Sequence, residues 1–354
     1  MRKWLRVSVL FAAAALALSI ASAQQPAPTP APQAPPATAP QNPLPPQNSQ
    51  ATIRTKAELV YLVATVTDRR HKFITDLEKN DFQISDEGKK QPVEFFTRET
   101  DLPLRIGVLL DTSNSIRERL RFEQEAASDF LYNTIRRGKD MAFVAIFDNE
   151  PEVIQDYTDN LDQLNKAIQA QRAGGGTALR DAIYMAAQKL QRAPLPETGS
   201  AEVRRVLVVI SDGEDNLSDR PLSESMEMAE KAEVAIYAIS TNTDWLNIEG
   251  DTPKKVMQTH GDKVLDQFAT DTGGRVFFPY KIDDLAQSFL DIGNELRSQY
   301  LLAFAPGPMP PKGQFRRVQV EVDRKGLIVR SRKGYSLPRV AAGAPPTVTP
   351  PSDK

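Results

Sequence analysis

Asp111-Thr112-Ser113-Asn114-Ser115 sets one carboxylate and two hydroxyls at alternate positions, directly after the apolar run Ile106–Leu110. Hard oxygen donors of this kind suit Mg²⁺. The apolar run reads as a strand buried on both faces, as in a parallel sheet covered by helices. Asp111 then stands at the strand's C-terminal tip, on the rim where open α/β sheets place their ligands. The stretch is half of a cation site, and two further pieces should reach the same rim. Gly174-Gly175-Gly176-Thr177 precedes a helix starting at Ala178. Its glycines let the backbone turn tightly and bring the Thr177 hydroxyl close. Ile210-Ser211-Asp212-Gly213-Glu214-Asp215 ends another apolar run, so Asp212 closes its strand as Asp111 does.

Each residue also has a plainer role open to it. Asp111, Ser113 or Ser115 could cap the helix that follows, and Thr177 could cap the helix after it. Gly174–Gly176 could cradle phosphate at a helix N-terminus, although the Gly-Lys-Ser/Thr of a P-loop is missing. Glu214 and Asp215 read as a solvated acidic loop or as a second cation site. His71 falls in a charged turn, His260 in a loop, and Trp245-Leu246-Asn247-Ile248 in an insertion that either contacts a partner or packs on the rim.

The surrounding elements explain why these pieces should converge. From Leu104 to Ser298 strand and helix patterns alternate. Strands are expected at 105–110, 141–147, 153–157, 205–210, 235–240 and 275–278, with helices at 116–136, 161–169, 178–191, 222–231, 264–272 and 282–296. Such alternation implies parallel strands joined by right-handed crossover helices, with every strand tip on one rim. Only Asp148-Asn149-Glu150-Pro151 separates 141–147 from 153–157, which allows nothing but a hairpin, so one edge strand is antiparallel. The fold class is therefore α/β, a doubly wound, mostly parallel six-stranded sheet with helices on both faces.

Before and after it the chain is β-rich. Glu58–Thr67 and Asn80–Ser85 form strands, Asp86-Glu87-Gly88-Lys89 a hairpin turn, and Pro92–Phe96 the returning strand. Later strands are expected at 300–305, 315–322 and 327–332. Each group alone has too few strands for a stable unit, so 51–100 and 299–338 should fold together into one small β unit flanking 101–298.

With these pieces in place, the sequence resembles the von Willebrand factor type A domain, the fold of integrin inserted domains. The match covers roughly Leu104 to Arg297. The family's metal-ion-dependent adhesion site has Asp-x-Ser-x-Ser, a loop Thr and an Asp-Gly pair. Carried over by position, Asp111, Ser113, Ser115, Thr177 and Asp212 are the metal residues. The resemblance implies that the hydroxyls ligate directly while the aspartates act partly through water. It also implies a partner carboxylate in the ion's open position and a shift of the last helix, here 282–296, on ligand binding. Val66-Thr67-Asp68, Asn80-Asp81-Phe82, Asp86–Pro92 and Lys333-Gly334-Tyr335 further resemble a group of secreted bacterial proteins related to that family.

Composition narrows the remaining classes. The chain has 354 residues and a net charge of −2, so no broad basic surface for nucleic acid is implied. It has no cysteine, which removes disulfides, thiolate metal sites and a cysteine nucleophile, and its two histidines make a His-rich zinc site a poor reading. Arg2, Lys3 and Arg6, an apolar segment 7–20 and Ala21-Ser22-Ala23 lay out a secretory signal peptide, 1–23. That segment is short of the ~20 residues of a membrane span, and none follows it. Residues 24–50, rich in Pro, Ala and Gln, read as an extended linker, and 339–354 as a disordered tail.

The expectation is an extracytoplasmic, non-enzymatic module, secreted or periplasmic, that uses Mg²⁺ (or Mn²⁺ or Ca²⁺) to bind a protein ligand presenting Asp or Glu. Two alternatives are a Mg²⁺-dependent phosphohydrolase using Asp111 and an assembly or scaffold subunit of an envelope complex. The hydrolase pattern puts a second Asp two positions after the first, where this chain has Ser113.

Overall fold

The computed structural model describes residues 59–98, 102–196, 203–242, 259–279, 282–307 and 315–336. The expected signal peptide, linker and tail, and the Trp245–Ile248 insertion, lie outside the described residues. In chain order the elements are β1 (Val60–Asp68), β2 (Phe82–Asp86), β3 (Lys89–Gln91), β4 (Phe95–Thr97), β5 (Leu104–Asp111), α1 (Leu120–Thr134), β6 (Met141–Phe147), β7 (Pro151–Thr158), α2 (Leu161–Gln169), α3 (Leu179–Gln191), β8 (Arg204–Ser211), α4 (Leu222–Lys231), β9 (Val234–Ser240), α5 (His260–Thr272), β10 (Val276–Phe277), α6 (Ile282–Arg297), β11 (Gln299–Phe304), β12 (Phe315–Val322), β13 (Leu327–Arg330) and β14 (Gly334–Ser336).

Six strands form the central sheet in the order β10-β9-β8-β5-β6-β7. All pairs are parallel except β6–β7, the antiparallel hairpin that the short 148–151 connection requires. β5 is buried at every residue and lies between β6 and β8. Alternate side chains serve opposite faces, as the strand period of two demands. Ile106, Val108 and Leu110 join a core with Phe130, Leu131, Leu164, Phe289 and Ile292 of α1, α2 and α6. Leu109 joins Leu179, Ile183, Ala229, Leu265 and Phe268 of α3, α4 and α5 on the other face. At Gly107 a Cβ would sit 2.6 Å from the Phe143 ring, so only glycine lets this strand pack there.

The flanking segments make two four-stranded sheets, β13-β1-β11-β4 and β14-β12-β2-β3. They share one core of Leu62, Val66, Leu77, Phe82, Ile84, Tyr300, Phe304, Val320 and Tyr335. β1 pairs with β11, and β2 with β12, so each sheet joins an early strand to a late one.

Several boundaries differ from expectation. The strand returning from the 86–89 turn is Lys89–Gln91, not Pro92–Phe96. Glu87 and Gly88 both have positive φ, 49° and 75°, a two-residue turn that pairs Asp86 with Lys89 at once. Pro92 lacks the N–H to continue the ladder, and Phe95–Thr97 crosses to pair with β11. The first helix begins at Leu120, not Ile116, because Asn114–Ile116 is a separate 3₁₀ turn. It stops at Thr134, where Ile135 turns extended, short of the expected Arg136. α5 starts at His260, which is helical and not in a loop.

Candidate metal centre

The β5 and β8 tips lie side by side, with Leu110 opposite Ile210. Asp111, fully buried at the end of β5, accepts a hydrogen bond from the Ser113 N–H (2.9 Å) at one oxygen and from Ser211 Oγ (2.7 Å) at the other. Burial pushes its carboxyl up to about 6, against the pull of these bonds and aided by nearby Asp212. Ser113 is buried and Ser115 exposed, and their Oγ atoms lie 2.9 Å apart.

The glycine loop closes over this pair. Gly174 N donates to Thr112 O (2.7 Å), and Asn114 N to Gly175 O (3.3 Å). Gly175 takes φ 77° over Asn149, where a side chain would be strained. Thr177 is tied to the third loop: its N–H donates to Asn216 Oδ1 (2.9 Å) and its carbonyl accepts from Asn216 N and Leu217 N. Its own hydroxyl, in a residue only 5% exposed, has no hydrogen-bond partner among the described residues. All three pieces therefore sit on one rim and are bonded pairwise.

Asp212 is 8% exposed and accepts from the Glu214 N–H (3.0 Å). Its backbone is fixed from behind. Gly213, at φ 78°, packs so closely on Gly261 at the start of α5 that neither position has room for a Cβ. The Asn242 amide donates to Asp212 O, Thr259 Oγ1 and Asp262 Oδ1, linking the loop to the α5 capping box.

The capping roles open to these residues are not taken. α1 has Arg119 at its N-cap with no side-chain cap bond, and the 3₁₀ turn after Ser113 has none either. α3 is preceded by Ala178, again without a side-chain cap. Glu214 is exposed, as a solvated acidic loop requires, while Asp215 is half-buried. Glu214 accepts from Gly261 N (3.2 Å), while Asp215 accepts from Arg180 N (2.8 Å), the Arg180 guanidinium and Ser218 Oγ (2.7 Å). Burial acts to raise the Asp215 carboxyl, but these bonds hold it below its ordinary value.

The donor set fits a hard divalent ion. In an octahedral Mg²⁺ shell at 2.0–2.1 Å, adjacent oxygens lie about 2.9 Å apart, the separation of the two serine hydroxyls. Among the described residues no three His, Cys, Asp or Glu side chains are grouped to hold a metal alone, so hydroxyls must supply much of the shell.

One residue near the rim escaped the sequence reading. Glu123, in the first turn of α1, is fully buried, and neither carboxyl oxygen has a hydrogen-bond partner. Burial holds its carboxyl well above the ordinary range, and Asp111 and Asp212 add to the rise against Arg119. The signal was its place in the inward stripe of Leu120, Ala127, Phe130 and Leu131. Its neighbour Gln124 is satisfied by the Ile168 and Gln171 carbonyls.

Residues 106–214 match the family model described as the von Willebrand factor type A domain. No curated protein matches the chain. Similar solved structures include the conserved hypothetical protein BatB from Bacteroides thetaiotaomicron, at 16% identity and TM-score 0.41, covering 54% of this chain and 98% of that one. A von Willebrand factor type A protein from Catenulispora acidiphila is 12% identical at TM-score 0.44, covering 80% of this chain and 74% of that one. Proximal thread matrix protein 1 from the mussel byssus, with a zinc-occupied MIDAS motif, is 18% identical at TM-score 0.43, covering 60% and 49%.

Proposed function

Residues 106–214 form a von Willebrand factor type A domain, and on that premise we propose that the rim is a divalent-cation-dependent docking site for a protein. Asp111, Ser113, Ser115, Thr177 and Asp212 would hold the ion, Mg²⁺ or another hard divalent cation. When bound, the ion supplies an electrophilic centre for a partner's Asp or Glu carboxylate. Ser115 presents its hydroxyl at the surface, with that of buried Ser113 beside it. Asp111, held by Ser113 N–H and Ser211 Oγ, fixes a negative charge beneath them. Thr177 brings a further hydroxyl that has no hydrogen-bond partner among the described residues.

The observation that carries this reading is that three loops distant in sequence meet at one rim, bonded pairwise, and bring these oxygens together. Three of them stand where helices begin, yet none caps a helix.

The module is read as a binding domain and not an enzyme, secreted or periplasmic through its N-terminal signal. No helix among the described residues is long and apolar enough to cross a membrane. The test uses the full chain, immobilised, with acidic peptides and envelope extract in Mg²⁺ or in EDTA. Capture lost in EDTA and restored by Mg²⁺ is the expected result; capture indifferent to chelation removes the cation from the mechanism. Turnover of a phosphate ester that disappears in Asp111→Asn would instead favour a hydrolase.

A further inference from the structure

We propose that Leu217 is an apolar contact beside the cation centre, so that the partner carries a large apolar side chain one or two residues from its metal-binding carboxylate. The inference rests on the docking reading above and narrows the partner from any acidic protein to one with an acidic residue next to an apolar one.

The placement of Leu217 carries it. Its N–H donates to Thr177 O (3.0 Å), beside the Asn216 N–H on the same oxygen, and Asn216 Oδ1 accepts from the Thr177 N–H in return (2.9 Å). The backbone of Leu217 is thus fixed directly against a residue of the site. Its side chain lies over the glycine loop, where a Cβ at Gly176 would stand 2.5 Å from Leu217 Cδ1 and 3.1 Å from Cγ. Of the three glycines only Gly175 has a positive φ, so the backbone at 176 does not demand glycine. What excludes a side chain there is the leucine. Even so, Leu217 remains 46% exposed.

A single exposed leucine is ordinary on a protein surface. This one is held in place, and it stands on the rim. None of the other exposed large apolar side chains among the described residues belongs to the three rim loops. Its surroundings are polar: Asn114, Ser115 and Arg117 are exposed, and Arg117 donates to Asn114 Oδ1 (2.8 Å). An apolar contact ringed by polar groups is the layout of a protein interface, and a side chain already ordered loses little entropy when it is covered. Thr177 and Leu217 are in backbone contact, so a chain whose carboxylate meets the ion passes Leu217 with the residues next to it. An extended chain advances about 3.3 Å per residue, which sets the apolar neighbour at one or two positions.

The experiment selects random peptides displayed on phage against the full chain in Mn²⁺ and releases them with EDTA. Selected sequences are expected to carry Asp or Glu with Leu, Ile, Val, Phe or Met one or two positions away more often than the starting library does. The tightest is then titrated onto wild type and Leu217→Ser. Its affinity should fall about fivefold or more, the scale of losing part of a buried leucine contact, while Mn²⁺ alone, titrated by calorimetry, binds both proteins equally. Leu217→Met, which keeps the apolar bulk, should restore peptide affinity. Selected peptides that are acidic without apolar preference, or that bind Leu217→Ser as tightly as wild type, overturn the proposal and leave the docking site standing. Weakened Mn²⁺ binding in Leu217→Ser also overturns it, since the leucine would then act by holding Thr177. A library that yields no EDTA-sensitive peptide overturns the docking reading as well.

Discussion

At the scale of single residues, the rim separates groups that hold the fold from groups that do not. Thr177 is the clearest case. Its backbone is bonded on both sides by the 216–217 loop, whereas its hydroxyl has no hydrogen-bond partner among the described residues. Thr177→Ala is therefore expected to change stability by less than about 1 kcal/mol and to weaken Mn²⁺ binding about tenfold or more, checked by urea denaturation and calorimetric titration on the same samples. Gly213 is the opposite case. Its positive φ and its contact with the Gly261 backbone leave no space for a methyl group. Gly213→Ala should cost about 2 kcal/mol or more and displace Asp212, so stability and ion binding should fall together. The meeting of the three loops was legible because Asp, Ser, Thr and Gly at strand ends carry a distinctive pattern. Glu123 was not, because one acidic residue in an amphipathic helix looks like a solvated position until the helix's inward face is known.

Among the elements, β5, α1 and α6 meet at the end of the sheet opposite the rim, and Asp140 joins them. This fully buried carboxylate accepts from Leu104 N (2.8 Å) at the start of β5, from the Arg136 backbone and guanidinium, and from Arg297 (3.0 Å) at the end of α6. Burial acts to raise its carboxyl, and the bonds from Arg136, Leu104 and Arg297 outweigh it, so the value lies below 3.8. The sign follows from linkage: a depressed folded value contributes stability above the unfolded value, and that stability is lost as pH falls through the folded one. Asp140→Asn should therefore destabilise the protein at pH 7 by about 3 kcal/mol, the scale of a broken buried pair, and flatten the loss of stability below pH 4. Urea midpoints at pH 7 and pH 3 check both. Strand and helix positions were read well from periodicity, because strands buried on both faces are strongly apolar. The start of α1 and the β2–β3 hairpin were misread because local turn geometry decided them. Asn114–Ile116 is held by the glycine loop, and Glu87-Gly88 closes in two residues.

The whole molecule is knit by a second buried carboxylate. Glu295 of α6 accepts from Tyr237 OH (2.9 Å) in the central sheet, and from Thr65 Oγ1 (3.0 Å) and Arg330 (2.6 Å) in the flanking β sheets. Gln299 adds bonds to Thr65 and Tyr237. One side chain therefore links both cores, and the sequence offered no sign of it, since its partners are separated by up to 230 positions. Glu295→Ala leaves Tyr237, Thr65 and Arg330 facing an empty place. Scanning calorimetry should then resolve two transitions where wild type is expected to give one, because the two cores lose a buried side chain that bonds to both. A single transition at lower temperature would instead mean that strand contacts alone couple the two parts.

β5 runs from Leu104, opposite the rim, to Asp111 on it, flanked along its length by parallel partners. Any pull applied between the rim and the opposite end of the sheet would run along this strand. The backbone bonds to β6 and β8 lie across that direction, so they share the load together and do not peel apart one by one. A pull between the two ends of β5 would therefore fall on both neighbouring strands at once.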